Sequence, residues 1–75
     1  MEVVLLAGGF VRFEGRRVPT DEFVLEIRRR VRVAAGDGSA VPEVRILIEE
    51  PVPQGRIDDL LRELQSAGVR HVTLG

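Results

Sequence analysis

The sequence lacks the residues on which many catalytic and cross-linked sites depend. It contains no Cys, one His and two Ser. Without Cys the chain can form no disulfide, thiolate metal site or cysteine nucleophile. A zinc site normally takes about four ligands, so a single His is too few, and no acid, base and nucleophile can be assembled. We therefore expect a protein that is not an enzyme and that holds no metal and no cofactor.

Long apolar runs and an excess charge of one sign are also missing. No run approaches the roughly 20 apolar residues of a membrane-spanning helix, so we expect no direct membrane contact by this segment. Eleven Arg and no Lys stand against twelve acidic residues, a formal net charge of -1. The net charge therefore produces no overall electrostatic attraction to nucleic acid or anionic lipid. A hydrophobic fraction of 44% over 75 residues predicts one small folded domain, residues 1–75.

The first third of the chain has the pattern of a β-hairpin. A β-rich run at residues 2–6 is followed by a Gly-Gly turn signal and by alternating apolar and charged residues at 10–14. Gly15 supplies a second turn, and residues 17–19 continue as a short extended segment. The sequence thus predicts two paired strands ahead of the first helix.

A first helix is predicted to begin at Thr20, whose hydroxyl would cap its amino end, with Asp21 and Glu22 in its first turn. Its apolar residues recur at spacings of three and four, namely Phe23, Val24, Ile27 and Val31. The glycine-rich stretch at 36–39 predicts that this helix ends near 33–35.

A strand follows in the second half of the chain. Val44, Ile46 and Ile48 alternate with charged residues, but Leu47 is also apolar. A strand that is apolar on both sides is typical of a position in the middle of a sheet covered on both faces. We therefore expect this strand to be central and doubly covered.

A second helix and a last strand complete the pattern. From Gln54 the apolar residues mark one face of a helix, namely Ile57, Leu60, Leu61, Leu64 and Ala67. Gly68 suits the left-handed position after that helix, and Val69 can then fold back onto it. Residues 71–74 form a short final strand.

This order, β-β-α-β-α-β, predicts an α+β fold, a two-layer domain with both helices packed on one face of a mixed sheet. The last strand, helix and strand form a right-handed crossover unit. These two strands should therefore be parallel neighbours.

Two stretches of the sequence together resemble the periplasmic C-terminal domain of the ExbD/TolR family. The family's opening is matched by GGFVRFEGRRVPTDEF: strand, glycine turn, strand, a glycine before basic residues, then an acidic-started helix. Its second half is similar to VRILIEEPVPQGRIDDLLRELQSAGVRHVTLG, where an apolar strand, a proline-bearing loop, an amphipathic helix, an Ala-Gly end and a terminal strand follow in order. The resemblance covers nearly the whole chain.

The resemblance implies a non-catalytic interaction and dimerisation domain of a proton-motive-force-driven, energy-transducing complex. Such a domain lies at the periplasmic face of the bacterial inner membrane, forms a homodimer, and binds a TonB- or TolA-like partner or peptidoglycan. The full-length protein would join an ExbB/TolQ-like channel subunit through an anchoring helix with a proton-coupling Asp. That helix and its linker do not lie within residues 1–75. The loop reading Glu50-Pro51-Val52-Pro53 departs from the family's pattern.

Partner and dimer contacts are predicted where strands lie at the border of the sheet. Short edge strands leave backbone groups free to pair with another chain. We therefore expect Arg70, Val72 and Leu74, on or beside the terminal strand, to contact a partner or a second copy. Glu49 and Glu50, two carboxylates at a strand end, are the other candidates.

The alternative function is that of a free-standing ferredoxin-like or nucleic-acid-related binding module. Sheets that bind single-stranded nucleic acid stack its bases on aromatic side chains of their open face. Only three Phe are available, and two of them are expected in the core. We therefore expect no nucleic acid among the partners.

Overall fold

The computed structural model describes all 75 residues and contains five strands and two helices. The elements are β1 Glu2–Leu5, β2 Phe10–Phe13, β3 Arg16–Pro19, α1 Thr20–Asp37, β4 Val44–Ile48, α2 Gln54–Ser66 and β5 Val72–Leu74. The predicted α+β class is confirmed. The short extended segment after Gly15 pairs as β3, so the sheet has one strand more than the predicted order.

The five strands form one mixed sheet in the order β3-β2-β1-β4-β5. The pairs β1–β2 and β2–β3 are antiparallel, whereas β1–β4 and β4–β5 are parallel. The predicted parallel neighbours on either side of α2 are therefore confirmed. Strands β3 and β5 are the two edges of the sheet.

Tight turns join the three antiparallel strands. A short 3-10 turn, Ala7–Gly9, links β1 to β2. Between β2 and β3 lies a two-residue turn in which both Glu14 (φ 53°) and Gly15 (φ 78°) have positive φ. This backbone twist matches the natural twist of a hairpin, which explains the close return of β3.

Both helices pack on one face of the sheet, as predicted, and share one core. The fully buried part of that core takes residues from β1, β2, α1, β4 and α2, of which the largest are Leu5, Phe23, Ile27, Ile46, Leu60 and Leu64. Phe13 of β2 meets Phe23 of α1 edge to face, with ring centroids 4.9 Å apart. This apolar layer fixes α1 and α2 on the same side.

The other face of the sheet is open. It carries the alternate strand residues, including exposed Arg12 and Arg45 and half-buried Val4 and Leu47. The expectation that β4 is covered on both faces is therefore wrong. Two helices cover one face of a five-stranded sheet, and no third layer is present to bury Leu47 completely.

The ends of α1 differ from the sequence-based expectation in two respects. The helix begins at Thr20, but the Thr20 hydroxyl does not cap it and donates to the carbonyl of Gly9 at 2.9 Å. The helix ends at Asp37, later than predicted, and Gly38 follows in the left-handed conformation. Gly36 therefore lies within the last turn of the helix and does not end it.

The end of α2 is as predicted. Gly68 has φ 100°, and the Val69 N–H donates to the carbonyl of Leu64 at 3.1 Å, which turns Val69 into the core. Neither helix is long and apolar enough to cross a membrane.

Candidate interaction surfaces

The β5 edge is held to the sheet by the backbone groups of alternate residues. The Val44 N–H donates to the carbonyl of His71 at 3.0 Å, and the Gly75 N–H donates to the carbonyl of Ile46 at 3.0 Å. In a strand, successive residues point their N–H and C=O groups to opposite sides. Every second residue from His71 to Gly75 therefore faces β4.

The intervening residues of β5 face outward. Val72 and Leu74 direct their N–H and C=O groups away from the sheet, so the edge presents two donors and two acceptors. Their side chains lie on the side of the helices, where Val72 is half-buried and Leu74 is 56% exposed. Thr73 lies on the open face. The predicted contact residues Val72 and Leu74 thus form one continuous edge.

The other predicted contact residues lie outside the β5 strand and do not form one surface. Arg70 is exposed just ahead of β5, and Glu50 is exposed in the bend after β4. Glu49 is turned away from β5, because its carboxylate forms an ion pair at 3.6 Å with Arg12 of β2, two strands away. Arg70 is therefore adjacent to the β5 edge, whereas Glu49 is directed away from it.

The β3 edge offers fewer free backbone groups. The carbonyl of Phe10 accepts a hydrogen bond from the Leu6 N–H at 2.9 Å, so the backbone groups of Phe10 and Arg12 face β1. By alternation, their cross-strand neighbours Pro19 and Arg17 face outward from β3. Pro19 has no N–H, so this edge presents a complete donor and acceptor pair only at Arg17.

A cleft opens between β3 and α1, which we call the β3–α1 cleft. Its volume is about 290 Å³. Its lining comprises Phe13, Glu14, Arg16, Val18, Glu22, Phe23, Glu26 and Arg30. The floor is apolar and the walls are charged, an arrangement that sequence reasoning did not identify because the lining comes from two distant segments.

A network of ion pairs crosses one end of this cleft. The Arg30 guanidinium lies 2.8 Å from carboxylate oxygens of both Glu26 and Glu14. Arg29 contacts the same Glu26 carboxylate at 2.6 Å. Hydrogen bonds from Arg29 and then Arg30 lower the pKa of Glu26 from 4.5 to about 2. Glu26 and Arg30 are one helical turn apart on α1, whereas Glu14 comes from the turn between β2 and β3.

This network predicts a dependence of stability on acid. The lowered pKa of Glu26 means that its contribution is complete above pH 4.5 and is lost as the pH falls toward 2. We expect the urea midpoint of a Glu26→Gln variant to decline less over that window than the midpoint of the unchanged protein. Glu63→Gln, at an exposed position of α2 without an ion pair, is the matched control. Equal declines for Glu26→Gln and the unchanged protein would contradict this role of Glu26.

A second cavity, of about 300 Å³, lies where α1 and α2 begin. Arg56 donates there to the carbonyl of Leu6 and, at 3.2 Å, to the Thr20 hydroxyl. These bonds connect the 3-10 turn, α1 and α2, so Arg56 ties the three segments together. No group of three or more His, Asp and Glu side chains is placed to hold a metal ion.

No protein-family model matches this sequence, and no curated protein matches it. The two sheet edges, the β3–α1 cleft and the order of the elements are therefore the features from which a function is inferred.

Proposed function

We propose that this chain is the non-catalytic interaction and dimerisation domain of an ExbD/TolR-like subunit of a proton-motive-force-driven complex. The observation that carries the proposal is the β5 edge. Val72 and Leu74 present unpaired backbone groups there, and Leu74 adds an exposed apolar side chain. An edge of this kind is the usual site of strand addition from another chain.

The succession of elements supports the same proposal. Three strands, with a glycine turn after the first, and a helix with acidic residues in its first turn lead to an apolar strand, an amphipathic helix and a short terminal strand. Apart from the additional strand β3, this is the order that the resemblance to the family implies. In that setting the domain works at the periplasmic face of the bacterial inner membrane. An anchoring helix of the full-length protein would meet the ExbB/TolQ-like channel subunit.

The β5 edge is self-complementary. Two copies related by a twofold axis at Thr73 would pair β5 with β5 in antiparallel fashion, as isologous dimers do. Val72 of each copy would exchange two hydrogen bonds with Leu74 of the other, and the two Thr73 side chains would meet on the open face. Four hydrogen bonds and two apolar contacts make a small interface, so we expect weak association that tethering to a membrane would strengthen.

The same edge suits a strand from a TonB- or TolA-like partner. Backbone pairing recognises extended chain of any sequence, and alternate side chains add selectivity. One edge accepts one strand at a time, so a second copy and a partner strand would compete for β5. Peptidoglycan is the further ligand that the resemblance implies.

The proposal predicts that Leu74→Asp weakens self-association by at least tenfold while the helical circular dichroism signal is retained. The added charge would lie opposite Val72 of the second copy and would lose water without an ion-pair partner. Sedimentation velocity across a concentration series gives the monomer–dimer balance. The control is Leu25→Asp, because Leu25 of α1 is 60% exposed, close to the 56% of Leu74, but lies far from the β5 edge.

Leu74→Pro separates backbone pairing from side-chain contact. The Leu74 N–H faces outward, so proline removes an intermolecular donor and leaves the hydrogen bonds between β4 and β5 in place. If both Leu74 variants dimerise as the unchanged protein does, the β5 edge is not the interface. The assignment to a membrane complex is tested separately: it requires an apolar helix of about 20 residues ahead of this domain in the natural protein.

Binding of nucleic acid by the open face is less well supported. Phe10 is the one aromatic side chain on that face, and the Arg17 guanidinium lies 4.1 Å from its ring centroid. Recognition of single strands by a sheet needs two or three aromatic rings free to stack on bases. Here a single half-buried ring is already covered by a cation.

A further inference from the structure

We propose that the β3–α1 cleft binds an extended segment of a partner protein with the pattern basic-x-apolar-x-acidic, added as a short strand to β3. This site lies at the opposite edge of the sheet from β5. It is a surface separate from the proposed dimer contact, and its occupation does not depend on dimerisation.

The backbone of β3 fixes how such a segment would pair. Arg17 supplies an outward N–H and C=O, whereas Pro19 has no N–H and, as the N-cap of α1, uses its C=O for the first hydrogen bond of the helix. A segment running antiparallel to β3 would therefore form two hydrogen bonds, both between Arg17 and the residue that follows the apolar one. The missing N–H of Pro19 and the start of α1 at Thr20 limit pairing to a few residues. The edge is thus suited to a short peptide and poorly suited to a long strand.

The cleft floor selects an apolar side chain at one position. The residue of the segment opposite Val18 would point to the same side as Val18, toward α1. Val18 is half-buried and packs against the core beside Phe13 and Phe23. A Val or Leu side chain at this position would lie on that apolar floor, within a cleft of about 290 Å³.

Charge on the cleft walls sets the flanking residues and the direction of the segment. Glu14, Glu26 and Arg30 pair within the network across the cleft. Arg16 at the start of β3 and Glu22 in the first turn of α1 have no ion-pair partner, so they are available to a ligand. In the antiparallel direction the amino end of the segment lies near Glu22 and its carboxyl end near Arg16. A basic residue before the apolar one and an acidic residue after it are therefore complementary to the cleft.

A second copy of this chain fits the cleft less well. Its β5 region reads Arg70-His71-Val72-Thr73-Leu74, which places a basic and an apolar residue at the required spacing but an apolar residue where an acid is required. The uncompensated charge of Arg16 therefore favours a different protein as the occupant.

The test uses an acetylated, amidated heptapeptide with Arg, Val and Glu at its second, fourth and sixth positions and Ser elsewhere. A control peptide exchanges the Arg and the Glu. Titration of the ¹⁵N-labelled domain should shift amide resonances of β3 and the first turns of α1. We expect the first peptide to bind about fivefold more tightly than the control, the effect of two exposed ion pairs.

A variant of the domain with reversed charges tests whether Arg16 and Glu22 cause the preference between the two peptides. The double variant Arg16→Glu with Glu22→Arg should prefer the control peptide by a similar factor, because both wall charges are exchanged. The matched control is Asp59→Arg with Arg62→Glu, which reverses an exposed pair on α2 and should keep the original preference. Equal affinity for both peptides, shifts confined to β5, or no shift at millimolar peptide would each overturn the proposal.

Discussion

Replacing Leu60 with alanine is expected to lower the free energy of unfolding by about 2–5 kcal/mol. Leu60 of α2 is 1% exposed and lies in the core shared by both helices, so truncation leaves a cavity that the rigid sheet below cannot fill. A domain of 75 residues has roughly 4–11 kcal/mol of stability in total. The variant should therefore unfold at a much lower urea concentration, measured by circular dichroism at 222 nm.

The neighbouring residue provides the control. Leu61 is only half-buried at the margin of the core, so Leu61→Ala should cost about 1 kcal/mol, because a smaller part of its apolar surface is removed from water on folding. Both variants delete the same atoms from adjacent positions of one helix. Equal losses would mean that α2 is rotated relative to the sheet from the position described above.

The different burial of Leu60 and Leu61 illustrates what the apolar pattern can and cannot predict. The spacing of the leucines correctly predicts an amphipathic helix and the side that faces the sheet. It assigns Leu61 to the core as well, because periodicity records the direction of a side chain but not the width of the surface below it. Since α2 lies toward the edge of a five-stranded sheet, one border of its apolar face remains partly in water.

Two predictions were wrong, the capping of α1 by Thr20 and the covering of β4 on both faces, and both have the same physical origin. Thr20 has the type and place of a capping residue, but its hydroxyl is engaged by Gly9 and Arg56, which are distant in sequence. The strand around Leu47 has the composition of a doubly buried strand, but none of the elements within residues 1–75 covers its open face. Local patterns determine the elements, whereas these outcomes depend on contacts that exist only once the elements have packed.

The candidate surfaces also divide into features that a local sequence pattern predicts and features that depend on tertiary contacts. The prediction that the last strand lies at an edge of the sheet is confirmed, and Val72 and Leu74 lie on it. Their contact with a partner stays a prediction. The outward direction of their N–H and C=O groups follows from the register with β4, which no sequence pattern specifies. The β3–α1 cleft was missed altogether, because Glu14 and Arg30 meet across 16 positions of sequence and neither residue is distinctive by itself.

Gly68→Ala is expected to destabilise the domain by roughly 2–4 kcal/mol, the sum of a left-handed backbone penalty and overpacking. Gly68 has φ 100°, and an added Cβ would lie 2.9 Å from Cγ1 of Val31 on α1. Gly36→Ala is the control, since Gly36 is helical with no atom near its Cβ position and should gain up to about 1 kcal/mol. Combining Gly68→Ala with Val31→Ala separates the two causes: relief of the contact should recover part of the loss, and the backbone strain should remain. A Gly68→Ala variant as stable as the unchanged protein would contradict both the turn after α2 and the close approach of the two helices.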